Sequence, residues 1–311
     1  MNVDRRSVLG MAMVMASANQ ARPQISPDAI ALWPAAPPGV PASSGPEQVS
    51  SKGAITNVER PRLNVYRPAR PNGAAVLVFA GGGYARIEAA AESAPTCRWL
   101  QASGVTAFEL IYRLPQEGRS PLAPFQDGQR AMRIVRASAA NYRIDSARIG
   151  VIGFSAGGHL AGMTAVRPDS PLYPRADSID EASARPDFVG LIYPILTMMP
   201  PFDQTHARRE ILGMRPTPAQ SEEYSVERHV QERAPPMFLA QAADDPISPL
   251  DNTLMMFAAL RAARTPGALH VFQTGGHGWG MGRPETEVQA WPGLFAAWAR
   301  SNSFLPTSPP R

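Results

Sequence analysis

Six apolar residues in a row, Ile149-Gly150-Val151-Ile152-Gly153-Phe154, run straight into Ser155-Ala156-Gly157-Gly158 and a stretch of small residues. An unbroken apolar run of this length reads as a strand buried on both faces. Passing from such a strand to a helix within one residue puts Ser155 on the tight turn of the G-x-S-x-G pattern, with Gly153 and Gly157 leaving room for the flanking backbone. The turn requires a covered, mostly parallel sheet, and the remaining chain supplies one. Ala75–Ala80, Val105–Tyr112, Phe188–Tyr193, Pro236–Ala240 and Leu269–Gln273 are further runs of strand length. Glu88–Gln101, Phe125–Asn141, Asp251–Arg264 and Glu285–Arg300 carry helical period between them. This alternation predicts an α/β fold with helices on both faces of the sheet. By itself the rhythm fits a dinucleotide-binding domain equally well.

The ends of the chain read differently. Asp4-Arg5-Arg6-Ser7 precedes an apolar stretch from Val8 to Ala18, and small residues follow at Ala16, Ser17, Ala18 and Ala21. This looks like a twin-arginine export signal over residues 1–22, so the mature protein is expected outside the cytoplasm, periplasmic or secreted. The stretch falls short of the ~20 residues that span a bilayer, and no stable membrane anchor is expected. Residues 23–60, rich in Pro, read as an extended lead-in, residues 61–305 as one domain, and residues 306–311 as a tail. Segments 167–186 and 198–231 break the rhythm. They are expected either as a small cap or loop insertions at the carboxyl ends of the strands, where substrates bind, or as plain surface insertions.

The 30 cations are Arg apart from Lys52, and they are scattered rather than interleaved with aromatics, which argues against nucleic-acid binding. Cys97 is the one cysteine, so no internal disulfide can form; it is expected as a buried, inert thiol. The histidines lack metal-ligand spacing, and no metal or other cofactor is expected. Oligomeric state is not legible.

A serine hydroxyl needs a base to act as a nucleophile. Of the five histidines, His277 stands in Gly275-Gly276-His277-Gly278-Trp279-Gly280, directly after the last predicted strand. A histidine on a glycine loop beyond a strand end can swing over a serine. His159 lies four residues after Ser155 on the same helix and is assigned to packing or hydrogen bonding within the fold. The carboxylate that orients the base should fall between the serine and the histidine in sequence, and Asp244-Asp245 after the strand Pro236–Ala240 meets that need. Gly81-Gly82-Gly83-Tyr84 ends the first core strand. Its glycines let backbone amides approach a substrate oxygen, so Gly82 and Gly83 are expected, with Ala156, to form an oxyanion hole. Tyr84 is assigned to substrate contact. Neither dinucleotide nor P-loop glycine spacing can be laid over this loop.

These blocks together resemble the bacterial α/β-hydrolases known as acetyl esterases, acetylxylan esterases or xylanase-like proteins. The matching residues are Gly81–Tyr84, Tyr112-Arg113-Leu114-Pro115, Asp127-Gly128-Gln129-Arg130-Ala131, Gly153–Gly158, Asp244-Asp245-Pro246 and Gly275–Gly280, in the family's order over residues 30–300. The resemblance implies the α/β-hydrolase fold and hydrolysis of short acyl esters of small molecules or carbohydrates, often acetyl groups. Related chains carry H-G-x-x-D-x-x-V at the acid loop. Gln241 stands at the His position and selects Asp245 as the triad acid, leaving Asp244 to a turn or cap. The chain departs from the pattern at Ala80, at Gln241-Ala242 and at Ser248. Two other readings stay open: a serine peptidase of the same fold, and a non-catalytic binding module.

Overall fold

The computed structural model describes residues 28–39, 45–115 and 120–306. The expected export signal lies outside them. Among the described residues ten strands form: β1 (Ile30–Ala31), β2 (Gln48–Val49), β3 (Ile55–Thr56), β4 (Arg62–Tyr66), β5 (Ala75–Phe79), β6 (Thr106–Ile111), β7 (Ile149–Phe154), β8 (Phe188–Ile192), β9 (Met237–Ala242) and β10 (Gly267–Phe272). Eight of them make one sheet in the order β1-β4-β6-β5-β7-β8-β9-β10, while β2 and β3 pair separately. From β6 to β10 every pairing is parallel; β4 and β1 add an antiparallel edge.

Among the described residues seven α-helices form: α1 (Ala94–Ala102), α2 (Ala123–Ala137), α3 (Ser155–Val166), α4 (His206–Leu212), α5 (Pro218–Glu223), α6 (Asp251–Ala262) and α7 (Trp291–Ser301). Side chains alternate across a strand, so a central strand feeds two layers at once. In β5, Ala75, Leu77 and Phe79 join Met132 of α2, Leu160 of α3 and Leu260 of α6 on one face. Val76 and Val78 join Cys97 of α1 and Phe295 of α7 on the other. Each Val, Leu, Met or Phe among them, fully buried, contributes about 1.5–3 kcal/mol of transfer free energy. Cys97 is buried, as its sequence position implied.

Three expectations need correction. The predicted helix over 88–101 is broken into a wide turn at Ala89–Ser93 followed by α1, because Pro95 lacks the amide that would continue an α-helix through it. The described part of the lead-in belongs to the fold: β1 extends the sheet against β4, Leu32 is buried, and the Trp33 indole donates to Asp127 at 2.8 Å. Segment 167–186 is also placed differently. A helix that follows a parallel strand runs back to that strand's amino edge, and there the segment starts and ends. Asp187 closes it by donating its amide to the Ile149 carbonyl at 2.8 Å. Its middle packs along α2, where Arg130 binds Asp177 and Asp180. The other segment, with α4 and α5, follows β8 and does stand at the carboxyl edge.

Candidate active site

The turn from β7 to α3 shows why its sequence needs two glycines. A Cβ on Gly153 would lie 2.2 Å from the Gly157 carbonyl oxygen, and one on Gly157 would lie 2.2 Å from the Phe79 carbonyl oxygen. Between them Ser155 takes φ +51°, a left-handed conformation that costs a non-glycine residue about 1–3 kcal/mol. The strain lifts the hydroxyl off the sheet at the first residue of α3, where it is 5% exposed.

His277 Nε2 lies 2.8 Å from Ser155 Oγ, and its Nδ1 lies 2.8 Å from Asp245 Oδ2. An ionised carboxylate only accepts, so Nδ1 carries the ring proton and Nε2 is left to accept from the serine. Asp245 is itself tightly held. Its Oδ1 accepts the amides of Ile247 and Ser248, each at 2.9 Å, and its Oδ2 also accepts Gln241 Nε2 at 2.9 Å. Gln241 is buried and satisfied, giving a second bond to the Ser248 carbonyl and accepting from the Thr253 hydroxyl. Asp244 acts elsewhere. Its Oδ1 accepts the Gly276 amide at 2.7 Å and so anchors the loop that carries His277.

The glycine loop lies against the serine, for a Cβ on Gly81 would sit 2.8 Å from Ser155 Cβ. Gly82 at φ +115° and Gly83 at φ +65° need the freedom of glycine. Among the described residues no acceptor is found for either amide. The leading amides of a helix have no intrahelical partner, and that of Ala156 belongs to them. The amides of Gly82, Gly83 and Ala156 are therefore left free to donate to a negative oxygen, and the loop that carries the first two lies against Ser155.

Tyr84 does not stand where it was expected. It is fully buried, packed edge-on against Tyr112 and His159, and its hydroxyl is 2.8 Å from His159 Nδ1. His159 Nε2 lies 2.7 Å from the Tyr224 carbonyl, which can only accept. Nε2 therefore carries the proton, and Tyr84 donates to Nδ1. Burial, only partly opposed by that carbonyl, lowers His159 to a pKa of about 4 and keeps it neutral. The pair braces the base of the glycine loop and leaves no surface of Tyr84 for substrate.

Three neighbours of the triad had no legible signal. Glu92 reads as one face of an alanine-rich helix, yet its Oε2 accepts the Gly81 amide at 2.6 Å. Tyr193, just past β8, sets its ring edge-on to His277 with centroids 4.9 Å apart. His206, opening α4, brings its ring Cδ2 to 3.0 Å from the place a Cβ on Gly83 would take. That last contact sets the cap beside the glycine loop. Among the described residues no group of acidic, His and Cys side chains is arranged to hold a metal ion, and no helix is long and apolar enough to cross a membrane.

Residues 63–260 match the model of the BD-FAE family. One curated relative, an endo-1,4-beta-xylanase B of Butyrivibrio fibrisolvens, is 33% identical over 228 residues, covering 72% of this chain and 34% of that protein. An acetylxylan esterase of Xylanibacter ruminicola is 29% identical over 221 residues, covering 70% of this chain and 43% of that protein. The chain thus spans well under half the length of either relative. Among solved structures, an acetyl ester-xyloside bifunctional hydrolase from Caldicellulosiruptor lactoaceticus superposes with a TM-score of 0.77 at 33% identity, covering 89% of this chain and 97% of that one. The Est2 esterase of Thermogutta terrifontis superposes with a TM-score of 0.68 at 24% identity, covering 84% and 94%. The sheet is that of the α/β-hydrolase fold.

Proposed function

The chain belongs to the BD-FAE family, and on that premise we propose that it is a serine esterase acting on short acyl esters, with acetyl groups on carbohydrate as the substrate class. The observation that carries this reading is the unbroken line Ser155–His277–Asp245, with 2.8 Å at each link. The names of the relatives support the acetyl and carbohydrate parts of the reading.

In this reading Ser155 Oγ attacks the ester carbonyl as its proton passes to His277 Nε2. Asp245 holds the ring in the accepting tautomer and stabilises the imidazolium that forms. Negative charge on the former carbonyl oxygen is met by the amides of Gly82, Gly83 and Ala156, already in place before reaction. His277 then gives its proton to the departing alcohol, leaving an acyl group on Ser155. A water molecule, deprotonated by the same nitrogen, attacks that acyl group and frees the acid.

The test is hydrolysis of p-nitrophenyl acetate, butyrate and octanoate, with acetate release from acetylated xylan measured alongside. Wild type should prefer the short esters, and Ser155→Ala should lose more than about 10⁴-fold in kcat. Equal rates in the two proteins would sink the serine mechanism. Short-ester activity with no acetate from the polysaccharide would remove the carbohydrate part alone.

A further inference from the structure

Glu92 is 4% exposed, and no ion pair to it is found among the described residues. Its two oxygens instead take neutral donors from opposite sides of the site. Oε2 accepts the Gly81 amide at 2.6 Å, and Oε1 accepts the Tyr193 hydroxyl at 2.9 Å. That hydroxyl in turn accepts the Gly280 amide at 3.0 Å. Gly81 leads into Gly82 and Gly83, whose amides surround the attacked carbonyl in the esterase reading. Gly280 closes the loop that carries His277. The Tyr193 ring lies edge-on to both His277 and Trp279, with centroids 4.9 and 4.5 Å apart. One carboxylate thus joins the glycine loop to the histidine loop behind the serine.

We propose that Glu92 is a positioning residue that fixes the oxyanion loop and the His277 loop relative to each other through Gly81, Tyr193 and Gly280, and so sets transition-state stabilisation rather than substrate binding. This rests on the esterase reading. The bridge needs two accepting oxygens. Glutamine offers one, and its amide nitrogen would face either the Gly81 N–H or the Tyr193 hydroxyl proton as a second donor. Misplacing the glycine loop by a fraction of an ångström moves its amides off the developing oxyanion without closing the pocket to substrate. Tyr193 holds a left-handed backbone at φ +37°, consistent with a side chain turned into this bridge at some local cost. The groups that face the carboxylate are Gly81, Tyr193, His277 and Glu88, and the nearby Tyr112 hydroxyl is already engaged with the Ala80 carbonyl. Burial pushes Glu92 up to a pKa of about 7. The Gly81 amide, Tyr193 and His277 pull against burial, and Glu88 adds to it.

The experiment compares wild type, Glu92→Gln and Tyr193→Phe by kcat, KM and affinity for phenylboronic acid, whose adduct on Ser155 presents a tetrahedral oxyanion mimic. Thermal melts confirm folding. Each variant should lose about 10- to 100-fold in kcat with KM within about threefold, and boronate affinity should weaken in step with kcat. A folded variant with wild-type kcat, or a loss carried by KM with kcat retained, overturns the proposal. If Glu92→Gln fails to fold, Tyr193→Phe decides, since it keeps the ring and removes only the hydroxyl. A wild type inert towards every ester sinks the esterase reading and this inference with it. An active wild type matched by its variants sinks this inference alone.

Discussion

Arg130 reaches from α2 to Asp177 and Asp180 on the loop before β8, both at 2.8 Å or less, whereas Glu92 behind the triad meets only neutral donors. Burial works to raise the pKa of both Asp180 and Glu92. At Asp180 it is outweighed by the Ala176 amide, the Tyr173 hydroxyl and Arg130, which hold the carboxyl down at about 2. At Glu92 burial wins, and the carboxyl rises to about 7. Arg113 and Asp127 repeat the first arrangement one turn along α2. Asp127 is fully buried and accepts the Arg113 backbone amide and guanidinium together with the Trp33 indole. The lead-in network matches each acid with a base, so its charge is spent within the fold. Behind the active site, Asp245 and Glu92 are held by amides, a glutamine and a tyrosine, and their negative potential is left to act on His277.

The largest test of this contrast is Asp245→Asn. The Ile247 and Ser248 amides still meet the remaining oxygen, but the new NH₂ replaces the oxygen that accepts from buried Gln241 Nε2, so the variant should fold with stability lowered by about 1–3 kcal/mol. The new NH₂ faces His277 Nδ1 and favours the tautomer whose Nε2 bears the proton, so that it cannot take one from Ser155. A kcat loss of about 10⁴-fold is expected. A loss under about tenfold would mean that Asp245 does not orient the base.

Asp127→Ala should reverse the pattern. It strands the Arg113 guanidinium, whose side chain is only 6% exposed, and frees the Trp33 indole. Removing one partner of a buried pair costs about 3–5 kcal/mol. Urea unfolding should record that loss, while kcat per folded molecule stays within about threefold of wild type. A drop in kcat with unchanged stability would make the lead-in network part of the active site and dissolve the contrast.

The two regions also differ in how far they could be read from sequence. The triad was legible because each member sits on a loop leaving a strand of unmistakable apolar pattern. Asp245 could be separated from Asp244 only through its family spacing, and the structure gives Asp244 its own work at Gly276. Glu92 was hidden for a local reason. Glu88-Ala-Ala-Ala-Glu92 has the look of a solvated helix face, and only the turn broken by Pro95 rotates Glu92 inward. Tyr84 misled in the opposite sense, because adjacency to a glycine loop does not reveal which way a side chain points, and this one points at His159. The partners of Arg130 are 47 and 50 residues away, a pairing that no local pattern encodes.

The smallest expected effect is also the one that separates the two kinds of buried acid most directly. Glu92 has its folded-state pKa raised from 4.5 to about 7. An acid raised in this way holds its full share of stability below its unfolded value and loses it as pH rises through the folded one. Glu92→Gln cannot titrate, and every other titrating group is shared with wild type. Wild type should therefore lose about 3 kcal/mol relative to Glu92→Gln between roughly pH 4.5 and 8, whatever the absolute stabilities. Urea midpoints taken across that range measure the difference. Diverging curves would show an acid that the fold leaves without a cation, at a standing cost, beside its catalytic histidine. Parallel curves would mean that Glu92 is compensated as fully as Asp180, and the distinction between the two networks would fall.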